Sequence, residues 1–332
     1  MATSDVAINR LTPKASVGDL LSRNAAAVGG VGVLIFIIVA FSLIRPGTFP
    51  TVENFRQILN QTAVAAIMAG AVSVALVAGQ YDLSVSAGLA LASVAAAAVN
   101  NGGLPWWIAV LAGCGVAGAI GLTNGLLVTV VRVPSIVATL GMQTILLGVI
   151  TWTTGDVYIS LGSPTMQDFA TGRPLGIPNT ALVMLAICAG GALLMRYTVP
   201  GRNLQAVGRN PAATRLAGIN DAFYVLLALV ITGVLVGLAA AVLTAQLGGG
   251  HPEVSSGYLL PAFAAAFLGA AVSRTGTASF LGALYGALLL QCVTNGLVVV
   301  NAAPWSQNVV QGVILIAAVA VSHAARARSL RT

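Results

Sequence analysis

The sequence predicts an all-α polytopic membrane protein with about ten transmembrane helices. Three observations carry this. Charged residues make up 7% of the 332, where a soluble domain carries about 25%. Hydrophobic residues reach 58%, with a mean hydropathy of +0.95. The apolar residues also gather into runs close to the ~20 residues that cross a bilayer. Disorder and collagen are excluded, because apolar content is high and the 38 glycines show no Gly-X-Y period.

A polar start carrying Arg10, Lys14 and Arg23 precedes the first run, Ala25–Ile44. That run is too long for a signal-peptide core and lacks a small-residue cleavage site, so it reads as a retained span. Further runs follow at Thr62–Ala78, Leu83–Val99, Trp106–Val131 and Ser135–Thr154. After a polar stretch the pattern resumes at Thr180–Tyr197, Phe223–Leu247, Leu259–Val272, Phe280–Val300 and Val309–Ser322. Leu259–Val272 reaches spanning length only if it starts near Ser256.

Ten spans put both termini on one side. With that side cytoplasmic, the inside segments hold Arg10, Lys14, Arg23, Arg132, Arg196, Arg202, Arg209, Arg215, Arg274, Arg326, Arg328 and Arg331, and the outside ones only Arg45, Arg56 and Arg173. This is the positive-inside asymmetry, and it accounts for the +7 net charge better than nucleic acid does.

Thr123-Asn124-Gly125-Leu126 recurs as Thr294-Asn295-Gly296-Leu297, with Asn295 171 residues after Asn124. Gly115 and Gly286, and Gly141 and Gly312, share that offset. Ten spans would make the two copies inverted, an arrangement characteristic of transporters; chance in an Ala- and Gly-rich chain is the alternative.

No catalytic or metal constellation emerges. Cys114, Cys188 and Cys292 each sit inside an apolar run, and His251 and His323 stand alone. The phosphate-binding G-x-x-x-x-G-K-[ST] loop is impossible, since Lys14 is the only lysine and follows Pro13. Any ATP drive must come from another subunit. The spans also lack the ionisable groups that an ion-coupled transporter needs, and the eight acids are too scattered for a membrane enzyme.

Two segments stand out. Gly79-Gln80-Tyr81-Asp82-Leu83-Ser84-Val85-Ser86 places an Asp beside apolar runs, where it costs about 2.5–3.5 kcal/mol at a helix centre. It reads either as a turn whose Asp82 and Ser84 cap the next helix, or as a break lining a pathway. In the polar stretch 198–223, Asn210 as N-cap, Pro211 at the first helical position and Gly218 as stop predict one short helix of about two turns. Its shape is that of a docking element.

With these residues in view, the chain resembles the permease subunits of bacterial sugar ABC importers of the ribose, xylose, arabinose and galactose type. Gly79–Gly88 resembles the family's G-G-x-D-L-S-V-G stretch, with Gln80-Tyr81 in place of its usual Gly-Ile. Val133–Met142 is similar to V-P-x-[FI]-[IV]-x-T-L-G-M, and Gly201–Ile219 to the loop G-R-x-x-x-A-x-G-x-N-x-x-A-A-x-x-[SA]-G-I. Leu281–Val319, with Asn295-Gly296-Leu297, is similar to the family's last two helices.

The resemblance implies a permease working with a second copy or a homologous permease, a cytoplasmic ATPase dimer and a periplasmic substrate-binding protein. The chain itself would bind no cofactor, ATP being used by the partner. It further implies an inverted repeat of helices 2–5 and 7–10, and a location in the bacterial inner membrane. Residues 1–24 are then a cytoplasmic segment, 25–322 the permease domain with a cytoplasmic coupling loop at 198–222, and 323–332 a cytoplasmic tail. Gly208, Asn210, Ala212, Ala213 and Gly218 are the expected ATPase-coupling residues. Asp82, Asn124, Thr139, Gln143 and Asn295 are the expected pathway residues, polar groups in apolar surroundings whose other reading is helix–helix hydrogen bonding. A neutral polar solute, a monosaccharide, fits a path with few charges; branched-chain amino acids, nucleosides and polyols are the alternatives.

Overall fold

The computed structural model describes residues 25–273 and 276–329. The segment 1–24 and Arg274 and Arg331, which entered the charge count above, lie outside them, as do residues 330–332 of the tail. The described chain is predominantly helical. Its thirteen α-helices open with α1 (Ala25–Ile44), α2 (Val52–Val77), α3 (Val85–Asn101), α4 (Trp106–Thr129) and α5 (Ser135–Thr154). A two-residue strand β1 (Ile159–Ser160), a short α6 (Thr165–Thr171) and a 3-10 turn (Pro174–Gly176) lead to α7 (Asn179–Tyr197). Two short helices follow, α8 (Val199–Arg209) and α9 (Pro211–Leu216), then α10 (Asp221–Leu247). Strand β2 (Gly249–Gly250), a 3-10 turn (Pro252–Gly257), α11 (Leu259–Val272), α12 (Phe280–Val299) and α13 (Pro304–Ser329) complete the chain. The strands pair antiparallel, Ile159 opposite Gly250.

Among the described residues seven helical segments are long and apolar enough to cross a membrane: α2, α4, α5, α7, α10, Pro252–Val272 and α12. Three shorter apolar helices lie at Val28–Ile44, Val85–Asn101 and Pro304–Ala320. The chain is therefore an all-α polytopic membrane protein. Helix ends follow local chemistry. Thr51 caps α2 by accepting from the Asn54 amide at 3.3 Å, and Gly155, at φ 59°, stops α5 in the left-handed region open to glycine.

Two elements differ from expectation. Helix α2 begins at Val52 rather than near Thr62, because its first turns are polar (Glu53, Asn54, Arg56, Gln57, Asn60, Gln61) and carry no apolar run. The stretch from 198 holds two helices instead of one. The additional α8 is amphipathic, burying Gly201, Leu204 and Val207 at helical spacing.

Helices α2 and α10 form the buried centre, and α4, α5 and α7 turn most of their residues outward. Between helices in lipid the apolar effect gives no preference, so close approach of small residues decides packing. Gly121 and Gly125 of α4 face α10, which carries Gly233 and Gly237. A Cβ at Gly121 would lie 2.3 Å from the Leu229 carbonyl oxygen, and one at Gly233 would lie 2.2 Å from that of Ala117. Backbone thus meets backbone along the α4–α10 seam. Elsewhere α12 packs on α2, α3 on α4 and α10, α11 on α12 and α2, and α5 and α13 pack on α3 and α11 respectively. Hydroxyls pin the centre: Ser93 and Thr244 lie 2.8 Å apart, and Thr232 donates to the Ala71 carbonyl at 3.1 Å.

Candidate functional site

The candidate site is the linker between α2 and α3 together with what closes on it. Gly79, at φ 76°, turns the chain out of α2, a conformation that needs glycine. The following backbone runs alongside α5. The Tyr81 amide donates to Ser135 Oγ at 3.3 Å and the Leu83 amide to Thr139 Oγ1 at 3.1 Å. Thr139 Oγ1 also lies 3.2 Å from the Tyr81 carbonyl. One turn further along α5, Gln143 Nε2 donates to Ser86 Oγ at 3.0 Å, and its Oε1 lies 3.4 Å from the Ala87 amide. Side chains of α5 therefore do for the linker what a sheet ladder would do, pairing backbone donors that no helix satisfies.

At the centre lies a buried polar knot. Asp82 Oδ1 accepts from the Ser84 amide at 3.0 Å and from Ser84 Oγ at 2.6 Å. Asn124 of α4 donates through Nδ2 to Ser84 Oγ at 2.8 Å and reaches Asp82 Oδ1 at 3.5 Å. Asp82 is 3% exposed and Asn124 fully buried, so this is an interior site and not a solvated turn. The capping expectation is corrected accordingly. Ser84 occupies the N-cap position but has helical dihedrals and makes no side-chain capping bond, because its hydroxyl is engaged by Asp82 and Asn124.

Among the described residues Asp82 forms no ion pair and no group of three metal-ligating side chains occurs. A cavity of about 10 Å³, near the least room a water needs, touches Asp82, Ser84, Gly121 and Gly233. Asn124 Oδ1 is buried without a partner.

The structure brings four of the five expected pathway residues together: Asp82, Asn124, Thr139 and Gln143. Asn295 is not with them. It is buried on α12, and its Oδ1 likewise has no partner.

The expected coupling residues all fall in the α8–α9 turn. Asn210 caps α9, accepting from the Ala213 amide at 3.0 Å; Ala212 and Ala213 form its first turn, and Gly218, at φ 78°, follows its end. Gly208 belongs to α8 and sits directly against the end of α2. A Cβ there would fall 1.8 Å from the Val77 carbonyl oxygen, and one at Gly79 would fall 3.6 Å from the Gly208 Cα. Gly208 of the coupling set therefore meets the end of α2 and Gly79, at the start of the linker that carries Asp82.

Sequence reasoning missed what anchors this unit. Gln205 donates to the Met195 carbonyl at 2.8 Å, Asn203 to the Tyr224 hydroxyl at 2.7 Å, and Arg215 lies 3.5 Å from Asp221. The spacing of Gly201, Leu204 and Val207 was the available signal.

The described chain is thus a multi-pass helical bundle with a buried polar knot where α2 gives way to α3 and a short helix pair seated at the end of α2, an architecture suited to a membrane permease. The chain belongs to the family described as the branched-chain amino acid transport system permease component, whose model matches residues 54–319. It is 33% identical to the ribose import permease protein of Escherichia coli strain K12 over 294 residues, 87% of this chain and 91% of that one. It is 31% identical to the D-allose transport system permease protein of the same strain over 293 residues, 88% and 90% of the two chains. Identity to the L-arabinose ABC transporter permease protein of Azospirillum brasilense is 28% over 315 residues, 95% and 91%. No solved structure matches the chain. It is a multi-pass permease subunit of an ABC importer, resident in the inner membrane.

Proposed function

We propose that this permease carries a small neutral monosaccharide, handed over by a periplasmic binding protein, into the cytoplasm under the drive of a separate ATPase dimer. The observation that carries the reading is the contact of Gly208 with Val77 and Gly79. It joins the α8–α9 unit, where an ATPase would dock, to the linker holding Asp82. Force on α9 reaches the Asp82–Ser84–Asn124 knot through one backbone contact, so opening of the path is tied to the ATPase cycle. ATP is used by that partner, and this chain binds no cofactor of its own. Neutral amides and hydroxyls at the site suit a polyol-like cargo, and the ribose, allose and arabinose permeases among the relatives support a sugar.

The same reading makes the three shorter apolar helices membrane spans, for ten in all. The α8–α9 end and both termini are then cytoplasmic, with segments 1–24 and 323–332 flanking a permease domain at 25–322 whose coupling loop is 198–222. A second permease copy or a homologue completes the path.

It also includes an inverted repeat of α2–α5 and α10–α13, supported by the 171-residue offset. Advanced by that offset, Val52–Val77 becomes 223–248, Val85–Asn101 becomes 256–272, Trp106–Thr129 becomes 277–300 and Ser135–Thr154 becomes 306–325. Each overlaps the corresponding helix of the second set. Packing exchanges in the same way, α4 on α10 matching α12 on α2, and α3 on α10 matching α11 on α2.

The test is uptake of labelled ribose, allose and arabinose by vesicles holding this chain with its ATPase and binding protein. Sugar accumulation that requires ATP and survives collapse of ion gradients is expected. Accumulation driven by an ion gradient alone, or uptake of leucine in preference to every sugar, would overturn the proposal.

A further inference from the structure

The 171-residue offset relates more than helix boundaries. It carries Asp82 to Glu253, Ser84 to Ser255 and Asn124 to Asn295, so each member of the buried knot has a counterpart of the same chemistry. The first set is closed. Asp82, Ser84 and Asn124 are at most 3% exposed and are joined by hydrogen bonds of 2.6 and 2.8 Å. The second set is apart. Glu253 is exposed on the 3-10 turn before α11, while Ser255 and Asn295 are 7% and 5% exposed. Among the described residues none of these three side chains is bonded to another. Asn295 Oδ1 and Asn124 Oδ1 are the two buried side-chain atoms without a partner among the described residues, and they are repeat mates.

We propose that Glu253, Ser255 and Asn295 are the second of two alternating gates, and that they close as the Asp82–Ser84–Asn124 knot opens. This rests on the importer reading and its inverted repeat. When two repeats share a sequence pattern but differ in conformation, exchanging the two conformations generates the opposite access state at little cost in new contacts. In that state Asn295 Nδ2 donates to Ser255 Oγ, which in turn donates to the Glu253 carboxylate. Asn124 then leaves Ser84, and the linker held by Thr139 and Gln143 moves off α4. The first set lies where α2 ends beside Gly208, and the second lies on the turn that follows α10, whose Val254 packs on the cluster of Ala87, Ala90, Leu146 and Ile150. A chance duplication of Asn-Gly-Leu would not carry with it an acid and a serine in a separate element at the same offset.

The test is paired-cysteine crosslinking in the full-length chain in host-membrane vesicles with its ATPase and binding protein. Cys114, Cys188 and Cys292 are first replaced by Ala, since Cys292 lies within one turn of Asn295. One protein carries Ser84→Cys and Asn124→Cys, the other Ser255→Cys and Asn295→Cys. Each is treated with a short thiol crosslinker at rest and during ATP turnover trapped with vanadate, and ATP-driven ribose uptake by the cysteine-free parent is measured in the same preparation. The first pair is expected to link at rest and the second in the trapped state, the ratio of yields inverting by about tenfold or more. Yields that stay fixed, or rise and fall together, while the parent takes up ribose overturn the alternating gates and leave the importer reading standing. A parent that takes up no ribose, allose or arabinose with ATP removes that reading, and the gates with it. A Glu253→Leu variant, which removes the acceptor, that transports like wild type would remove Glu253 from the gate.

Discussion

The seam between α4 and α10 and the seam between α12 and α2 occupy equivalent places in the bundle, yet they are built differently. In the first, glycine meets backbone. Gly121 abuts Leu229, Gly233 abuts Ala117, and Gly237 would put a Cβ 2.5 Å from the Cys114 Cα. In the second, the residue at the place of Gly121 is Cys292, buried with Ile58 and Phe49, and Tyr285 stands where α4 has Cys114. Tyr285 reaches α1, donating to the Gly30 carbonyl at 2.7 Å, and a phenylalanine, Phe41 of α1, covers Gly296. The tight seam carries the closed polar knot; the looser one carries Asn295 with a bare carbonyl. The difference teaches that similar sequence in two halves does not give similar strength. The glycine seam is the more closely packed of the two.

The largest expected effect breaks the closely packed half. Gly121→Leu drives side-chain atoms into the Leu229 carbonyl, and overpacking of about 3 kcal/mol or more should follow, read as lost heat-stable protein in detergent. Cys292→Leu on the looser seam should cost clearly less; equal losses at the two positions would erase the distinction between seams.

Next comes the pair of asparagines. Asn124→Leu strips Ser84 of its amide donor and strands buried polar atoms, at about 1–3 kcal/mol by chemical denaturation. Asn295→Leu removes an amide whose carbonyl is already unpaired, so the resting protein should keep or gain stability while uptake falls. A destabilisation matching that of Asn124→Leu would show that Asn295 is bonded in the resting state.

Asn210→Ala deletes the cap on α9 for about 1 kcal/mol. The seams should be untouched, so ATP hydrolysis should persist with less sugar moved per ATP. An unchanged ratio would detach α9 from coupling. The smallest effect is Thr232→Val, which loses one interhelical bond to Ala71, about 0.6 kcal/mol in a membrane bundle.

How much of this could be read in advance depended on how local the cause was. Helix α5 was legible to the residue at both ends, since Pro134 precedes it and Gly155 stops it. Helix α9 was legible from Asn210, Pro211 and Gly218, whose roles lie within nine residues. Helix α8 was hidden because only Gly201, Leu204 and Val207 are buried, too few to make an apolar run. The knot was half legible. Asp82 and Ser84 are neighbours and read as a cap, whereas the donor that turns them into a buried cluster, Asn124, comes 42 residues later and is brought in by glycine packing of α4. Asn295 was grouped with it by composition, and tertiary structure separates the two.

The meeting of Gly208 with the end of α2 has a mechanical consequence. Most contacts between elements are padded by side chains whose torsions hop in picoseconds to nanoseconds and absorb small displacements. Here main chain rests on main chain, with no side-chain torsion between to take up slack. We expect such a joint to pass a shift of α8 on to the end of α2, and a bulkier residue at 208 to collide with the Val77 carbonyl.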